Sequence, residues 1–550
     1  MNFRQKNLLN LLNEFDEISK KYDIDYFIAA GTALGAIRHG GFLPWDDDMD
    51  IYLTRDNWNK LKEVIESGEI DIPEMRTFAY HENTKYYRNA IPRYINQETS
   101  ALFKSQALAG KSLGQHLEFL ILDPMPAGED KEKEYIDLFR VYAELLSPFF
   151  TICRDLSIDE WNKHFELYNK YFEKANIVGD EEVLKELGDE LQNYPTEECE
   201  RYCMRWGDLI YTYPKEYIEN HRFSTFEGKQ IPVSQYVETM MRIAYGDDWM
   251  YVPEIKNQID HPHLEDYTTS CLEYSKRYIP KVNREEVLKR YRHLKYTNLC
   301  SFAKTKRIEM LNAKINVNSK SKIISKSLEG KEEYLSDLLE TKDYEAIVSE
   351  FDEYMGLQLR YDVKKYDIFV PISDRNLEIL LTCLVEKGEY YKVDRYLNIR
   401  KKHDENLSDG LANVENLVKC CRELSIARYD KKDEKLVQSL IDKYDSRYPD
   451  LLDIHRAKLW IRELNAKSGE DYKDIDKSCD EILKMYPFDG EIMAIQAKAK
   501  AECGEETESI DLYNKAINNT RNGLIWRKVE EETGISRYKM EYDFIEEAEE

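Results

Sequence analysis

The chain has 550 residues, of which 42% are hydrophobic and 12% aromatic, and its formal net charge is −27. This length exceeds what one hydrophobic core usually supports, and the apolar content is ample, so we expect at least two folded domains and exclude a wholly disordered chain. The acidic balance argues against broad binding to nucleic acid, because contacts with phosphates need a positive surface.

The first predicted element is an amphipathic helix within residues 1–21. Charged residues interrupt it throughout, so we predict neither a signal peptide nor a membrane span there, and no later segment has the roughly 20 apolar residues that spanning requires. The ten cysteines are scattered without zinc-like spacing, which favours reduced thiols in a cytoplasmic protein. The apolar face of the helix consists of Leu8, Leu11, Leu12, Phe15 and Ile18.

A compact apolar run, residues 26–30, predicts a buried strand, and the residues after it favour a short helix. Between them, Thr32 is predicted to be the helix N-cap, and the Gly40-Gly41 pair is predicted to end the helix through positive φ. A strand, a glycine and a helix N-terminus suit a phosphate group, because free N–H groups and the helix dipole attract the anion. We therefore predict that Gly31 and Thr32 contact a phosphate-bearing substrate.

A second strand is predicted over residues 48–53, and it overlaps the end of the acidic segment PWDDDMDI. Alternation places its apolar residues on the core-facing side and the carboxylates of Asp46, Asp48 and Asp50 on the other side. Carboxylates two residues apart on one strand face are costly unless a cation neutralises them, and such oxygen ligands suit Mg²⁺ or Mn²⁺. An exposed acidic turn is the alternative, but it would not need the apolar alternation. We therefore predict a cation site at Asp48 and Asp50.

Several residues near the acidic segment are candidates for substrate contacts. Arg38 could clamp a phosphate through its planar fork of donors, with a salt bridge to an aspartate as the alternative. Arg93, in a strand-like segment, is a second phosphate candidate, and Trp45 is an aromatic candidate next to the acidic residues. The remaining candidates for substrate contacts are His39, Asp46 and Asp47. For His39 and Asp47 the alternative role is to brace the loop.

The segment GTALGAIRHGGFLPWDDDMDI resembles the signature of the LicD-type phosphocholine transferases, to which fukutin-related proteins are distantly similar. The likeness continues in GQHLEFLILDPMP and from FEGK to YGDDWM, so that it covers roughly residues 1–265. Glu118 stands where the family's second acidic strand usually has Asp, which keeps the carboxylate but lengthens its reach. The resemblance implies an α/β (α+β) nucleotidyltransferase-like fold with a mixed sheet flanked by helices.

Carried over by position, the resemblance implies that Asp48 and Asp50 bind the metal and that Glu118 is a third carboxylate on a neighbouring strand. Glu118 either completes the metal shell or accepts the proton of the acceptor hydroxyl. The implied reaction transfers phosphocholine or a related phospho-alcohol from a CDP-linked donor to a glycan, a lipid-linked glycan or a teichoic-acid-type precursor, and releases CMP. Nucleotidyl transfer with release of pyrophosphate is one alternative, and an inactive domain that serves as a scaffold is another.

Residues 301–330 differ in charge from the rest of this acidic chain. From Lys304 to Lys326 a single acid, Glu309, stands among seven basic residues. A solvated basic linker is one interpretation. The other is a patch that touches an anionic acceptor or an anionic lipid surface, at the inner face of the membrane. The basic residues are Lys304, Lys306, Arg307, Lys314, Lys320, Lys322 and Lys326.

Residues 331–550 are predicted to be all-helical. Ile475, Cys479, Ile482 and Pro487 have counterparts 34 residues later, which is the period of tetratricopeptide helix pairs. Such pairs bury their faces by stacking and often offer a concave surface to a protein partner. We therefore predict a catalytic domain over residues 1–300, a basic linker over 301–330 and a tetratricopeptide-like repeat domain over 331–550.

Overall fold

The structure is a computed structural model that describes residues 1–84, 87–103, 110–149, 151, 156–206, 209–258, 264–279 and 281–538. The described residues divide into two compact units, one of residues 1–244 and 253–304 and the other of residues 245–252 and 305–538. The first unit combines strands and helices, and the second is helical. The mixed secondary structure of the first unit and the helical structure of the second agree with the fold classes predicted from the sequence.

Helices and strands of the first unit are interleaved along the chain. The helices are α1 (Phe3–Tyr22), α2 (Ala30–Arg38), α3 (Arg55–Ser67), α4 (Glu129–Leu146), α5 (Ile158–Val178), α6 (Asp180–Leu191), α7 (Lys215–Glu219), α8 (Val237–Tyr245) and α9 (Cys271–Arg277). The strands are β1 (Phe27–Ile28), β2 (Asp50–Thr54), β3 (Arg76–Ala79), β4 (Arg93–Leu102), β5 (Leu113–Pro124), β6 (Arg201–Trp206), β7 (Leu209–Pro214), β8 (His221–Phe226), β9 (Lys229–Ser234) and β10 (Leu264–Asp266).

Among the described strands, eight form one mixed sheet. Its main path runs β1-β2-β5-β4-β10, while β3 pairs with β4 and β6 joins β5 to β7. Strands β2 and β5 are parallel, and the other pairs are antiparallel. The register sets Asp50 opposite Glu118 and Glu118 opposite Arg93. Three of the predicted site residues therefore lie side by side on three adjacent strands.

Apolar residues predicted to face the core do so in both α1 and β2. The whole predicted face of α1 is buried, and Phe15 packs against Phe119 of β5 with ring centroids 4.9 Å apart. Ile51 and Leu53 of β2 are fully buried. Each such side chain contributes roughly 2 kcal/mol by leaving water, so this alternation fixes which face of β2 carries the carboxylate of Asp50.

Boundaries around the Gly-Thr segment differ from the prediction. The predicted strand is reduced to β1, α2 begins at Ala30, and Thr32 is wrong as an N-cap because it lies inside the helix. Its hydroxyl instead accepts the backbone N–H of Asp50 at 2.9 Å, so a tertiary hydrogen bond replaces the local one. Gly40 has a φ of 76°, which confirms the predicted helix end.

The predicted start of the second strand, in the acidic segment, also differs from the structure. Strand β2 begins at Asp50 rather than at residue 48, because its pairing with β5 starts at the Asp50–Glu118 level. Asp46 and Asp48 therefore lie in the loop before β2, whereas the alternation had predicted them on the strand face that carries Asp50. The loop still brings Asp48 within 4.8 Å of the carboxylates of the sheet, and Asp46 equally close to Asp48.

A buried histidine, His164, lies beside aromatic residues of its own helix, α5. His164 is 3% exposed, and its ring lies 5.6 Å from that of Trp161. Neither ring nitrogen meets a hydrogen-bond partner among the described residues. Burial lowers the pKa of His164 from 6.5 to about 4. The folded protein therefore keeps this imidazole neutral at pH values where the unfolded chain protonates it.

His164→Phe is expected to make the first unit more resistant to acid. Because the folded pKa of His164 is depressed, its contribution to stability is complete above pH 6.5 and is lost as the pH falls from there through about 4. The difference between the unfolded pKa of 6.5 and the folded pKa of about 4 corresponds to roughly 3 kcal/mol of folding free energy. Thermal unfolding from pH 7.5 to 4.5 should show a smaller loss of Tm for the variant. An equal loss in wild type and variant would contradict the assignment, and His293→Phe, at an exposed position, is the control.

The second unit consists of helices that pack around its own core. Its first helix, α10 (Arg284–Leu328), starts in the first unit and contains most of residues 301–330, so that segment is helical up to Leu328. The others are α11 (Glu332–Glu340), α12 (Tyr344–Glu350), α13 (Asp352–Gln358), α14 (Tyr361–Lys365), α15 (Asp374–Glu386), α16 (Tyr390–His403), α17 (Asp409–Ser425), α18 (Glu434–Tyr444), α19 (Leu452–Asn465), α20 (Gly469–Leu483), α21 (Gly490–Glu502), α22 (Glu506–Asn519) and α23 (Gly523–Thr533).

Two helices of this unit carry the register noticed in the sequence. Ile475, Cys479 and Ile482 are buried in α20, and the residues 34 positions later, at 509, 513 and 516, are buried in α22. Matching positions are thus buried in both helices, whereas a tetratricopeptide-like architecture for the whole unit stays a prediction. Of the helices in the described part of the chain, none combines the length and the apolar character needed to cross a bilayer.

Candidate active site

Three carboxylates converge where β2 and β5 run side by side. Oxygen atoms of Asp48, Asp50 and Glu118 lie within 4.8 Å of one another. A second group with the same spacing consists of Asp46, Asp47 and Asp48, so Asp48 belongs to both. The buried Oδ1 atom of Asp50 has no hydrogen-bond partner among the described residues. Hard oxygen donors with an unsatisfied buried atom fit a divalent cation such as Mg²⁺ or Mn²⁺.

The carboxylates of the strands differ in their electrostatic surroundings. Burial, together with the neighbouring charges of Asp48 and Glu118, raises the pKa of Asp50 well above its ordinary value. Burial also acts to raise the pKa of Glu118, but the positive charge of Arg93 outweighs it and holds that pKa well below the ordinary value. Glu118 is therefore kept ionised, while an ionised Asp50 is costly without a cation.

Arg93 is placed against Glu118 rather than in an open position. Its Nε atom donates to Glu118 Oε1 at 2.9 Å, and a second guanidinium nitrogen contacts the same oxygen. The guanidinium also lies 5.0 Å from the ring centroid of Phe103. Both charged groups are almost fully buried, so each is compensated mainly by the other.

His116 is a neighbour of Glu118 that the sequence did not single out. Its Nδ1 atom donates to the carbonyl of Gly114 at 2.8 Å, which leaves Nε2 facing Glu118 Oε1 at 3.5 Å. Burial and the charge of Arg93 lower the pKa of His116. The two residues lie on the same face of β5, two positions apart, and this spacing was the signal in the sequence.

The Gly-Thr segment lies against the acidic loop. A Cβ atom at Gly31 would come within 3.1 Å of Asp46 Oδ2, so the absence of a side chain lets this carboxylate approach the backbone of α2. Ala30, directly before it, has a φ of 42° in the left-handed region, which costs of the order of 1 kcal/mol for a residue with a Cβ. Thr32 ties this turn to β2 through Asp50. Gly31 and Thr32 are thus adjacent to the carboxylates, and their contact with a phosphate stays a prediction.

Arg38, His39 and Trp45 form a group at the other end of α2. The Arg38 guanidinium lies 5.9 Å from the Trp45 ring centroid, and the rings of His39 and Trp45 meet edge to face at 5.9 Å. Arg38 is almost fully buried, whereas Trp45 and His39 are half-buried. The structure therefore places these candidates together, with the aromatic face of Trp45 partly accessible.

The turn between β8 and β9 braces the glycine loop after α2. Glu227 accepts the backbone N–H of Phe42 at 3.0 Å and donates its own N–H to the carbonyl of Gly40 at 2.9 Å. A Cβ at Gly41 would lie 2.1 Å from the Glu227 carboxylate, so only glycine fits there without a shift. Glu227 belongs to the FEGK motif, and nothing in the sequence alone indicates a role for it. It positions the loop that leads into the acidic segment.

Asp123, at the end of β5, has a separate partner. Its carboxylate accepts from Arg55 Nε at 2.6 Å, and both side chains are largely buried. This pairing joins the start of α3 to β5. It accounts for Asp123 without a role among the converging carboxylates.

Known proteins are similar to the N-terminal part of this chain, which contains the candidate active site. The family model described as LicD/FKTN/FKRP, nucleotidyltransferase domain, matches residues 23–105. A lipopolysaccharide cholinephosphotransferase LicD of Haemophilus influenzae is 25% identical over 269 residues, which are 47% of this chain and 94% of that protein. An uncharacterized protein of Rickettsia prowazekii is 36% identical over 63 residues, 12% of this chain and 24% of that protein. Residues 23–105 are thus identified as a nucleotidyltransferase domain of the LicD type.

Proposed function

We propose that the chain transfers phosphocholine or a related phospho-alcohol from a CDP-linked donor to a hydroxyl of a cell-surface glycan precursor, releasing CMP. The observation that carries this proposal is the convergence of Asp48, Asp50 and Glu118 within the domain that is similar to a lipopolysaccharide cholinephosphotransferase. The acceptor class covers lipopolysaccharide, lipid-linked glycans and teichoic-acid-type precursors, all of which offer hydroxyl groups.

We assign the binding of Mg²⁺ or Mn²⁺ to these three carboxylates. A cation there would supply charge stabilisation to the phosphoryl group in transfer and to its leaving oxygen. Asp50 supports this assignment, since its ionised form is buried beside like charges and has an unsatisfied oxygen. Glu118, held ionised by Arg93, is better suited to be a ligand than to accept a proton.

Substrate contacts are assigned to the residues around the carboxylates. Gly31 and Thr32, at the start of α2, would face the donor phosphates with free backbone N–H groups. Arg38 supplies positive charge close to the acidic loop, and Trp45 offers a partly accessible ring to the quaternary ammonium group of choline. Arg93 acts in this proposal as a positioning residue for Glu118 rather than as a phosphate contact.

The test is to incubate the purified full-length chain with Mg²⁺, a glycan acceptor and, in parallel, CDP-choline, CDP-ethanolamine or CDP-glycerol, and to follow CMP. We expect CMP to appear with at least one donor and to depend on both acceptor and cation. Absence of CMP with every donor would overturn the proposal. Release of pyrophosphate from a nucleoside triphosphate in the presence of an acceptor would instead establish nucleotidyl transfer.

A further inference from the structure

One side of α10 within the second unit carries exposed apolar residues in a row. Ile308, Leu311 and Ile315 are 50%, 56% and 56% exposed. Their spacing of three and four residues places them on a single helical face. Single exposed apolar residues are common on protein surfaces, but a row of them bordered by charges marks an interaction surface.

Basic residues extend and flank this row. At 100° per residue, Lys322 and Lys326 continue the same face toward the end of the helix, and Arg307 borders it. All three are exposed, and within the described part of the chain none lies at ion-pair distance from a carboxylate. We call these six residues the α10 face: Arg307, Ile308, Leu311, Ile315, Lys322 and Lys326.

The acidic residue Glu309 and the buried residues of α10 lie on other sides of the helix. Glu309, the single acid among the basic residues, is off the α10 face and accepts from Lys365 Nζ at 2.8 Å. The opposite side of the helix contributes Ala313, Val317 and Ile324 to the core of the unit. The helix is therefore held by its buried side, and folding does not require the α10 face to be apolar.

We propose that the α10 face binds an anionic lipid surface. Such a surface attracts lysine and arginine, whose long stems let their charges stay at the headgroups while isoleucine and leucine enter the acyl boundary. Charge complementarity supports this occupant, because the face is basic in a chain whose net charge is −27. A protein partner fits less well, since the apolar row is one residue wide and the face lacks the aromatic anchors typical of protein interfaces.

Cosedimentation of the full-length chain with vesicles tests this proposal without requiring transfer activity. Wild type should bind vesicles of phosphatidylglycerol and phosphatidylcholine, bind much less to pure phosphatidylcholine, and lose binding in high salt. The variant Arg307→Gln/Lys322→Gln/Lys326→Gln should lower the partition coefficient by about 100-fold, at about fivefold for each charge. Ile308→Gln/Leu311→Gln/Ile315→Gln should lower it by about tenfold or more.

Matched controls keep net charge and exposed apolar area comparable. Lys435→Gln/Lys467→Gln/Lys477→Gln removes three charges from exposed lysines elsewhere in the unit, and Leu464→Gln/Phe488→Gln/Ile510→Gln removes exposed apolar side chains elsewhere. Both should bind like wild type. Failure of wild type to bind anionic vesicles, or equal binding by the α10-face variants, would overturn the proposal. So would a dimer in solution that the apolar variant dissociates, since the face would then be an interface between copies.

Discussion

Asp50→Asn is expected to abolish CMP release while raising the thermal stability of the cation-free protein. Loss of one carboxylate that compensates a cation should lower kcat by about 10³-fold, as removal of a key electrostatic group in an active site does. The pKa of Asp50 is raised in the folded state, so its ionisation destabilises the fold increasingly as the pH rises above its unfolded value of 3.8. Asparagine keeps the shape without the charge, which should gain of the order of 1 kcal/mol at pH 7.5.

Two measurements on the same samples separate these effects. Thermal unfolding in EDTA should give a higher Tm for Asp50→Asn at pH 7.5 and a difference that vanishes near pH 4. Addition of Mg²⁺ should then stabilise wild type and not the variant, because only the intact group of carboxylates binds the ion. Asp48→Asn should lose activity in the same way, and Asp25→Asn, at an exposed position in the same domain, should retain it. More than a tenth of wild-type activity in Asp50→Asn would contradict the assignment.

Local patterns predicted the strand that carries Asp50. Alternation in and around β2 placed Asp50 opposite the core, because Ile51 and Leu53 must be buried. The resemblance to the LicD family added Glu118, which no local pattern distinguishes from other acids of the chain. Where local preference and tertiary contacts competed, as at Thr32, the hydrogen bond to Asp50 decided the outcome and the N-cap prediction failed.

Partners far apart in the chain could not be predicted. Arg93 meets Glu118 because β4 pairs with β5 in one register, and a shift in that register between Asn96 and Ala101 has no clear signature in the sequence. Glu227 reaches Phe42 across 185 residues. Such contacts depend on strand order and on the path of loops, which hydrophobic periodicity does not specify.

The sequence composition also did not predict which side of helix α10 is exposed. The charge pattern of residues 301–330 allowed either a solvated linker or a lipid-facing patch. Only packing decides which side of a helix is buried, and here Val317 is buried while Ile315 is exposed. The apolar part of the α10 face therefore follows from the three-dimensional arrangement and not from the run of lysines.

A double-mutant cycle on Arg93 and Glu118 is expected to reveal strong coupling in stability. Arg93→Met should destabilise the first unit by about 3 kcal/mol, because it leaves the buried Glu118 carboxylate without its main compensating charge. Glu118→Gln should cost less, since Arg93 still lies near the charge of Asp48. The double variant Arg93→Met/Glu118→Gln contains neither charge, so its stability should exceed the additive expectation by about 2 kcal/mol.

Activity should follow a different pattern from stability in this cycle. Both single variants and the double variant should lose CMP release, because each removes the ionised, correctly placed Glu118 carboxylate. Arg93→Lys, which keeps the charge but not the planar fork, should recover most of the stability and part of the activity. If Arg93 acted as a phosphate contact independent of Glu118, the stability losses would be additive and Arg93→Met would mainly raise the KM for the CDP-linked donor. Coupled losses of stability together with a fall in kcat would instead identify Arg93 as the residue that positions Glu118.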